Sequence, residues 1–190
     1  MEKIALLPGG FKPPHAGHYN MAKYLLKNTD ADKIIVKVGA KTREGINQDT
    51  SVGIWNYYLK LDPEVPKGAI IVEPSTANSP VRDVYDYVDH IARQGDTIYL
   101  VRGEKDEGDQ RFINIHKYSD SKGVNVETVL VPSQAGGISG TEMRGLIQSG
   151  GKQEFKKVLP SHLNDSQKDE VWDMVANTIM ESLPPLPKSQ

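Results

Sequence analysis

Leu7-Pro8-Gly9-Gly10-Phe11-Lys12-Pro13-Pro14-His15-Ala16-Gly17-His18 is the stretch on which the reading of this chain turns. An apolar run, Ile4-Ala5-Leu6-Leu7, leads into it, and a segment with helical spacing, His18 to Lys27, follows. A buried strand, a Gly/Pro loop and a helix start, in that order, form the place where α/β proteins hold phosphates. The first N–H groups of a helix have no intrahelical partner, and its dipole is positive at that end. Gly9, Gly10 and Gly17 allow a close approach of backbone to ligand. His15 and His18 stand three apart at the helix start, so both are predicted to face one anion. The combination points to chemistry on a nucleotide phosphate.

Outward from this stretch, short apolar runs alternate with helical segments. Strands are predicted at Lys3–Leu7, Lys33–Val38, Ala69–Val72, Thr97–Val101 and Val126–Val131. Most are unbroken runs of Ile, Val and Leu, as in strands covered on both faces; the last is more mixed and suits a sheet edge. Ser51–Leu61 carries Val52, Trp55, Tyr58 and Leu59 at helical spacing. Ser79-Pro80 reads as an N-cap with a first-turn proline. The helix it opens is expected to turn Val81, Val84, Tyr85, Val88, Ile91 and Ala92 inward and to pair Arg82 with Asp86 and Asp89 with Arg93. Ser139–Gln148 and Gln153–Val158 read as short helices. Ser166-Gln167-Lys168-Asp169 resembles a capping box opening a last helix. This rhythm predicts an α/β fold: a Rossmann-like three-layer α/β/α architecture with a central parallel sheet of about five strands and C-terminal helices.

The chain has 190 residues, no cysteine, and 23 Lys+Arg against 25 Asp+Glu, a net charge of −2. That length fits one domain, expected over residues 1–182, with a Pro-rich tail at 183–190. Without cysteine there is no disulfide, no thiolate chemistry and no Cys-ligated metal. The near-neutral balance gives no footprint for nucleic acid, so any anion site is local. Neither a signal-peptide h-region nor a membrane-length apolar run is present, and the expected location is the cytoplasm.

A second segment bears on the first. Gly136-Gly137-Ile138-Ser139-Gly140-Thr141-Glu142-Met143-Arg144 follows the last strand. Ser139 with Glu142 three residues on reads as a helix N-cap, which leaves N–H donors beside Ser139 and Thr141. Arg144, near the first turn, carries a fork of donors suited to phosphate oxygens. The alternative is a capped surface helix with a solvated arginine.

Together the two segments resemble the cytidylyltransferase-like nucleotidyltransferases, the superfamily with the HxGH signature. Its first motif reads roughly Gly-x-Phe-(Asp/Asn/Gln)-Pro-x-His-x-Gly-His, and the chain has Gly9 to His18 there. Its second reads roughly Ile-Ser-Ser-Thr-x-x-Arg, and the chain has Ile138 to Arg144. The likeness covers about residues 3–160 and is similar in flavour to small phage-encoded members and to nicotinamide-mononucleotide adenylyltransferases. It implies transfer of a nucleoside monophosphate from ATP or CTP to a small phosphorylated acceptor, with release of pyrophosphate. In that picture His15, His18, Lys12 and Arg144 serve the reaction. Gly9, Gly10, Phe11, Gly17, Gly103, Asp106, Ile138, Ser139 and Thr141 bind nucleotide, and Lys41 and Arg43 meet the acceptor. Mg²⁺ rides mainly on the triphosphate, with no protein metal cage. Relatives are often dimers or larger, which keeps a homo-oligomer open. No nucleic acid or membrane partner is implied.

In the Val101-Arg102-Gly103-Glu104-Lys105-Asp106 segment, Gly103 permits close approach. Asp106 or Asp109 is a candidate for ribose hydroxyls, and Lys105 or Arg111 for phosphate; a solvated charged loop is the alternative. Trp55 either packs in the core, the favoured reading, or faces an acceptor ring. Three departures mark the chain. Lys12 stands where the family often has Asp, Asn or Gln. Gly140 replaces the second serine, and the Ser51–Leu61 helix lacks an arginine near its start. Two other readings stay open: a nucleotide-binding module without turnover, and a fragment of a class I aminoacyl-tRNA synthetase. A Lys-Met-Ser-Lys-Ser segment is absent, which counts against the second.

Overall fold

The computed structural model describes residues 1–76, 79–103, 110–134 and 137–182, without the side chains of residues 80, 81, 102, 103, 110–113 and 180–182. Five strands, β1 (Lys3–Gly9), β2 (Lys33–Val38), β3 (Ile70–Pro74), β4 (Thr97–Gly103) and β5 (Asn125–Val131), form one sheet in the order β3-β2-β1-β4-β5. Every pairing is parallel. Strand β1 is central, and its side chains alternate between two layers. Ala5 and Leu7 join the core beneath α1 (Ala16–Asn28), α2 (Gln48–Lys60), α5 (Gly140–Gln148), α6 (Lys152–Lys157) and α7 (Asp165–Ser182). Ile4 and Leu6 join the core beneath α3 (Pro80–His90) and α4 (Gln110–Ser121). The result is the Rossmann-like three-layer fold that the strand–helix rhythm predicts. Strand β5 lies at an edge, with Glu127 and Thr128 exposed and Val126 buried.

The departures are local. Helix α2 begins three residues before Ser51, because Asn47 accepts from Thr50 N at 2.8 Å and caps it. Ser79 precedes Pro80 as read, but its side chain makes no cap hydrogen bond. Helix α3 stops at His90, so Ile91 is not turned inward and stands 56% exposed. Arg82 and Asp86 do pair, at 3.2 Å, whereas Asp89 takes the Tyr118 hydroxyl and Lys122 instead of Arg93. The box opening α7 lies two residues upstream of the predicted one. Gln167 N donates to Asn164 Oδ1 at 2.8 Å, and Asn164 N to Gln167 Oε1 at 2.9 Å. Helix α4, between β4 and β5, has no counterpart among the predicted helices. Among the described residues no helix is long and apolar enough to cross a membrane. The predicted tail, residues 183–190, lies outside the described residues.

Candidate active site

The β1–α1 loop stands at the C-terminal edge of the central strand. There the chain leaves for β2 on one side and later returns to β4 on the other, the switch point where open α/β sheets bind ligands. Phe11 holds the loop's shape. Its φ is +53°, and its buried ring fills the space a Cβ on Gly9 would need, with Cζ 2.6 Å from that position. The ring meets Trp55 edge-on at 5.2 Å and His18 at 4.9 Å. Trp55 is fully buried, so the core reading holds for it. Three loop carbonyls are pinned from outside. Ser51 Oγ donates to Phe11 O at 2.6 Å, Arg144 Nη1 to Lys12 O at 2.9 Å, and Tyr58 Oη to Pro14 O at 2.9 Å. Sequence reading gave no signal for Ser51 or Tyr58 beyond core-facing helix positions.

His15 and His18 stand side by side, rings stacked at 3.7 Å, but their nitrogens have different tasks. His15 Nδ1 accepts from Gly17 N at 3.0 Å and His18 N at 3.4 Å, which makes His15 the N-cap of α1. Nδ1 therefore carries a lone pair and Nε2 the proton, which it donates to Ile138 O at 2.7 Å. His18 Nδ1 accepts from His15 N at 3.1 Å, closing a capping box. That leaves His18 Nε2–H as the donor available to a ligand. Burial lowers both histidines below the usual imidazole range, His18 furthest, with His15 adding repulsion. Both are neutral at pH 7, and protonating either Nδ1 would break the cap.

Both histidines line a cleft of about 510 Å³ together with Gly17, Met21, Gly137, Ile138, Ser139 and Glu142, and this size suits a small ligand. Gly17 is required there: a Cβ on it would come within 2.7 Å of Gly137 Cα. A Cβ on Gly10 would meet open space. Ser139 caps α5, accepting from Glu142 N at 3.0 Å, as read. Ser133 and Gln134 also line the cleft, and neither was singled out from sequence.

Lys12 and Arg144 do not line this cleft; they lie against each other, Arg144 Nη1 donating to Lys12 O at 2.9 Å. Lys12 is buried, and its amine donates to Gly10 O at 2.6 Å and Gly39 O at 2.9 Å. Desolvation, then repulsion from Arg43, brings it down to about 8. Arg144 Nε donates to Glu44 Oε2 at 2.6 Å, and Nη2 reaches Thr141 Oγ1 at 3.5 Å. Glu44 escaped sequence reading; it sits 100 residues from its partner. Lys41 and Arg43 are exposed on the segment between β2 and α2, near the Gly39 carbonyl that Lys12 holds. Gly103 ends β4, paired with Val131. Asp106, with Lys105 and Asp109, lies outside the described residues, as does the Arg111 side chain.

No protein-family model matches the chain. A probable nicotinate-nucleotide adenylyltransferase of Fusobacterium nucleatum is 39% identical over 74 residues, covering 38% of this chain and 36% of that protein. The chain thus spans about a third of the curated relative it matches. A bifunctional NMN adenylyltransferase/ADP-ribose pyrophosphatase of Francisella tularensis superimposes with a TM-score of 0.68 at 16% identity, over 95% of this chain and 53% of that one. The same enzyme has been solved with AMP and a manganese ion, TM-score 0.65 at 16% identity over the same shares. Plasmodium falciparum nicotinic acid mononucleotide adenylyltransferase, complexed with NaAD, gives 0.62 at 12% identity over 95% and 96%. The structural likenesses establish a Rossmann-like α/β fold shared with these adenylyltransferases.

Proposed function

We propose that this chain is an adenylyltransferase of the cytidylyltransferase-like superfamily, moving AMP from ATP to the phosphate of a small acceptor. The observation that carries the reading is His18: a neutral imidazole at the α1 N-terminus, oriented through Nδ1, with Nε2–H free at the switch-point cleft. An acceptor phosphate oxygen attacks the α-phosphorus in line. The bond from that phosphorus to the bridging oxygen breaks, and pyrophosphate leaves with the electron pair. The protein's work is placement and charge stabilisation. His18 Nε2–H donates to the α-phosphate, and the Gly140 and Thr141 amides that open α5 face the triphosphate, whereas the first amides of α1 are all bonded within the chain. Arg144 and Lys12 meet the β/γ-phosphates, and Lys41 and Arg43 attract the acceptor. The choice of ATP over CTP rests on the adenylyltransferases named above, and nicotinate mononucleotide is the first acceptor to try.

Magnesium is assigned to the triphosphate itself, where it would neutralise the leaving group. Among the described residues no three potential ligands converge into a cage. A relative solved with AMP and manganese supports divalent-metal use. The test is pyrophosphate release with ATP or CTP, magnesium and a panel of phosphorylated acceptors. Release that needs both nucleotide and acceptor, and fails in His18→Ala, supports the reading. No release from any pair, with no thermal shift from any nucleotide, overturns it.

A further inference from the structure

Arg144 is already occupied by an anion that belongs to the chain. Glu44 Oε2 lies 2.6 Å from its Nε, with the arginine side chain 13% exposed and the glutamate 49%. A phosphate oxygen would take the same edge of the guanidinium. Two independent features build this contact. Glu44 is the first central residue of a two-residue turn closed by paired backbone bonds, Arg43 N to Ile46 O at 3.0 Å and Ile46 N to Arg43 O at 2.9 Å. Buried Ile46 anchors the turn, and Asn47 caps α2 directly behind it. Glu44 has φ +48° and Gly45 φ +87°, a conformation that suits Asn or Gly and strains a glutamate. The ion pair with Arg144 offsets that strain.

The second feature is Gly140. A Cβ there would lie 2.8 Å from Arg144 Nη1, so a side chain at this position makes the tip of the guanidinium shift within the contact with Glu44. The superfamily motif places a serine here, and this chain's glycine opens the space.

We propose that Glu44 is a specificity-determining residue: a resident anion that a polyphosphate must displace from Arg144. It weakens the hold on pyrophosphate and on the β/γ-phosphates of a nucleoside triphosphate, and leaves a monophosphate unaffected. The enzyme therefore releases pyrophosphate readily. The proposal rests on Arg144 as the polyphosphate contact of the function proposed above. An arginine fork held by one carboxylate at a partly exposed site is a modest competitor, so the effect is about two- to fivefold in affinity.

The experiment is calorimetric titration of the full chain, wild type, Glu44→Gln and Gly140→Ala, with inorganic pyrophosphate, ATP and AMP at 0.15 M salt. Glu44→Gln should bind pyrophosphate and ATP about two- to fivefold tighter and AMP unchanged. Gly140→Ala, which displaces only the tip of the guanidinium, should tighten pyrophosphate by no more than Glu44→Gln does, and do nothing further in Glu44→Gln. A general charge effect would tighten AMP as much as pyrophosphate, and that outcome overturns the proposal. So does equal pyrophosphate affinity in wild type and Glu44→Gln when wild type binds ATP. A wild type that binds neither ATP nor pyrophosphate overturns the functional reading itself, and this inference with it.

Discussion

His15→Ala is expected to destabilise the fold, whereas His18→Ala is expected to destroy turnover, although the two rings stack at 3.7 Å. His15 spends both nitrogens on backbone: Nδ1 caps α1, and Nε2 donates to Ile138 O at 2.7 Å. Losing an N-cap costs about 1 kcal/mol. Leaving the half-buried Ile138 carbonyl without its donor costs about 1–2 kcal/mol more. The sum, about 2–3 kcal/mol, lowers the melting temperature of a domain this size by roughly 5–10 °C. His15→Asn keeps a cap oxygen and should recover about 1 kcal/mol of the loss while leaving Ile138 unpaired. His18→Ala removes the reciprocal bond of the box and the ring's contacts with His15 and Phe11, and should shift melting by roughly 1–4 °C. Its turnover should fall about 10²- to 10³-fold. Differential scanning calorimetry and pyrophosphate release read the two effects. Wild-type melting of His15→Ala, or His15→Asn no better than His15→Ala, would refute the division of labour between the rings.

The remaining expectations use the same contacts. Because both histidines sit below their ordinary value in the folded chain, the unfolded state binds more protons as pH falls below about 6.5, and stability is lost in that window. Denaturation midpoints at pH 7.5 and 5.5 should differ, and the gap should shrink in His15→Asn/His18→Ala; an unchanged gap contradicts the assignment. Lys12 is brought down to about 8, so it destabilises the fold at neutral pH by roughly 3 kcal/mol at most, a cost relieved between about pH 8 and 10.5. Lys12→Met should flatten that alkaline rise and weaken triphosphate binding, and superimposable curves would make Lys12 a bystander. Arg144→Ala should weaken ATP binding about tenfold and AMP binding hardly at all; equal losses in titration would place Arg144 elsewhere.

What was legible in the sequence is what repeats locally. Strand β2 occupies Lys33–Val38 as read, because its apolar run is bounded by charge and glycine. Both site motifs fall at helix N-termini at the same sheet edge, because strand–loop–helix order places them there. What was hidden depends on partners far along the chain. Ser51 serves Phe11 O across 40 residues, and Tyr58 serves Pro14 O across 44. Neither pairing leaves a periodic trace. Two overlapping boxes compete at α7, Asn164 with Gln167 and Ser166 with Asp169. Lys156, 2.8 Å from Asp169, removes the second acid from contention. The Lys12 side chain illustrates the same limit: its carbonyl partners at Gly10 and Gly39 belong to two strand ends that only the sheet brings together.

The orientation of His18 is set from the far side of the loop. Tyr58, buried and with its hydroxyl pushed far above the usual phenol range by desolvation, keeps its proton and donates it to Pro14 O. The same peptide unit presents His15 N–H on its opposite edge, and that N–H donates to His18 Nδ1 at 3.1 Å. Tyr58, the Pro14–His15 peptide and His18 thus form a chain of hydrogen bonds in which each donor polarises the next. One consequence is that the His18 tautomer is fixed before any ligand arrives, with Nε2–H outward and no rotation required. A second is that α2 controls the imidazole without touching it. The helix that lies beside the proposed acceptor segment holds the donor side of the site through two carbonyls, Pro14 O from Tyr58 and Phe11 O from Ser51. A displacement of α2 would loosen Pro14 O, and with it the direction in which His18 aims its proton.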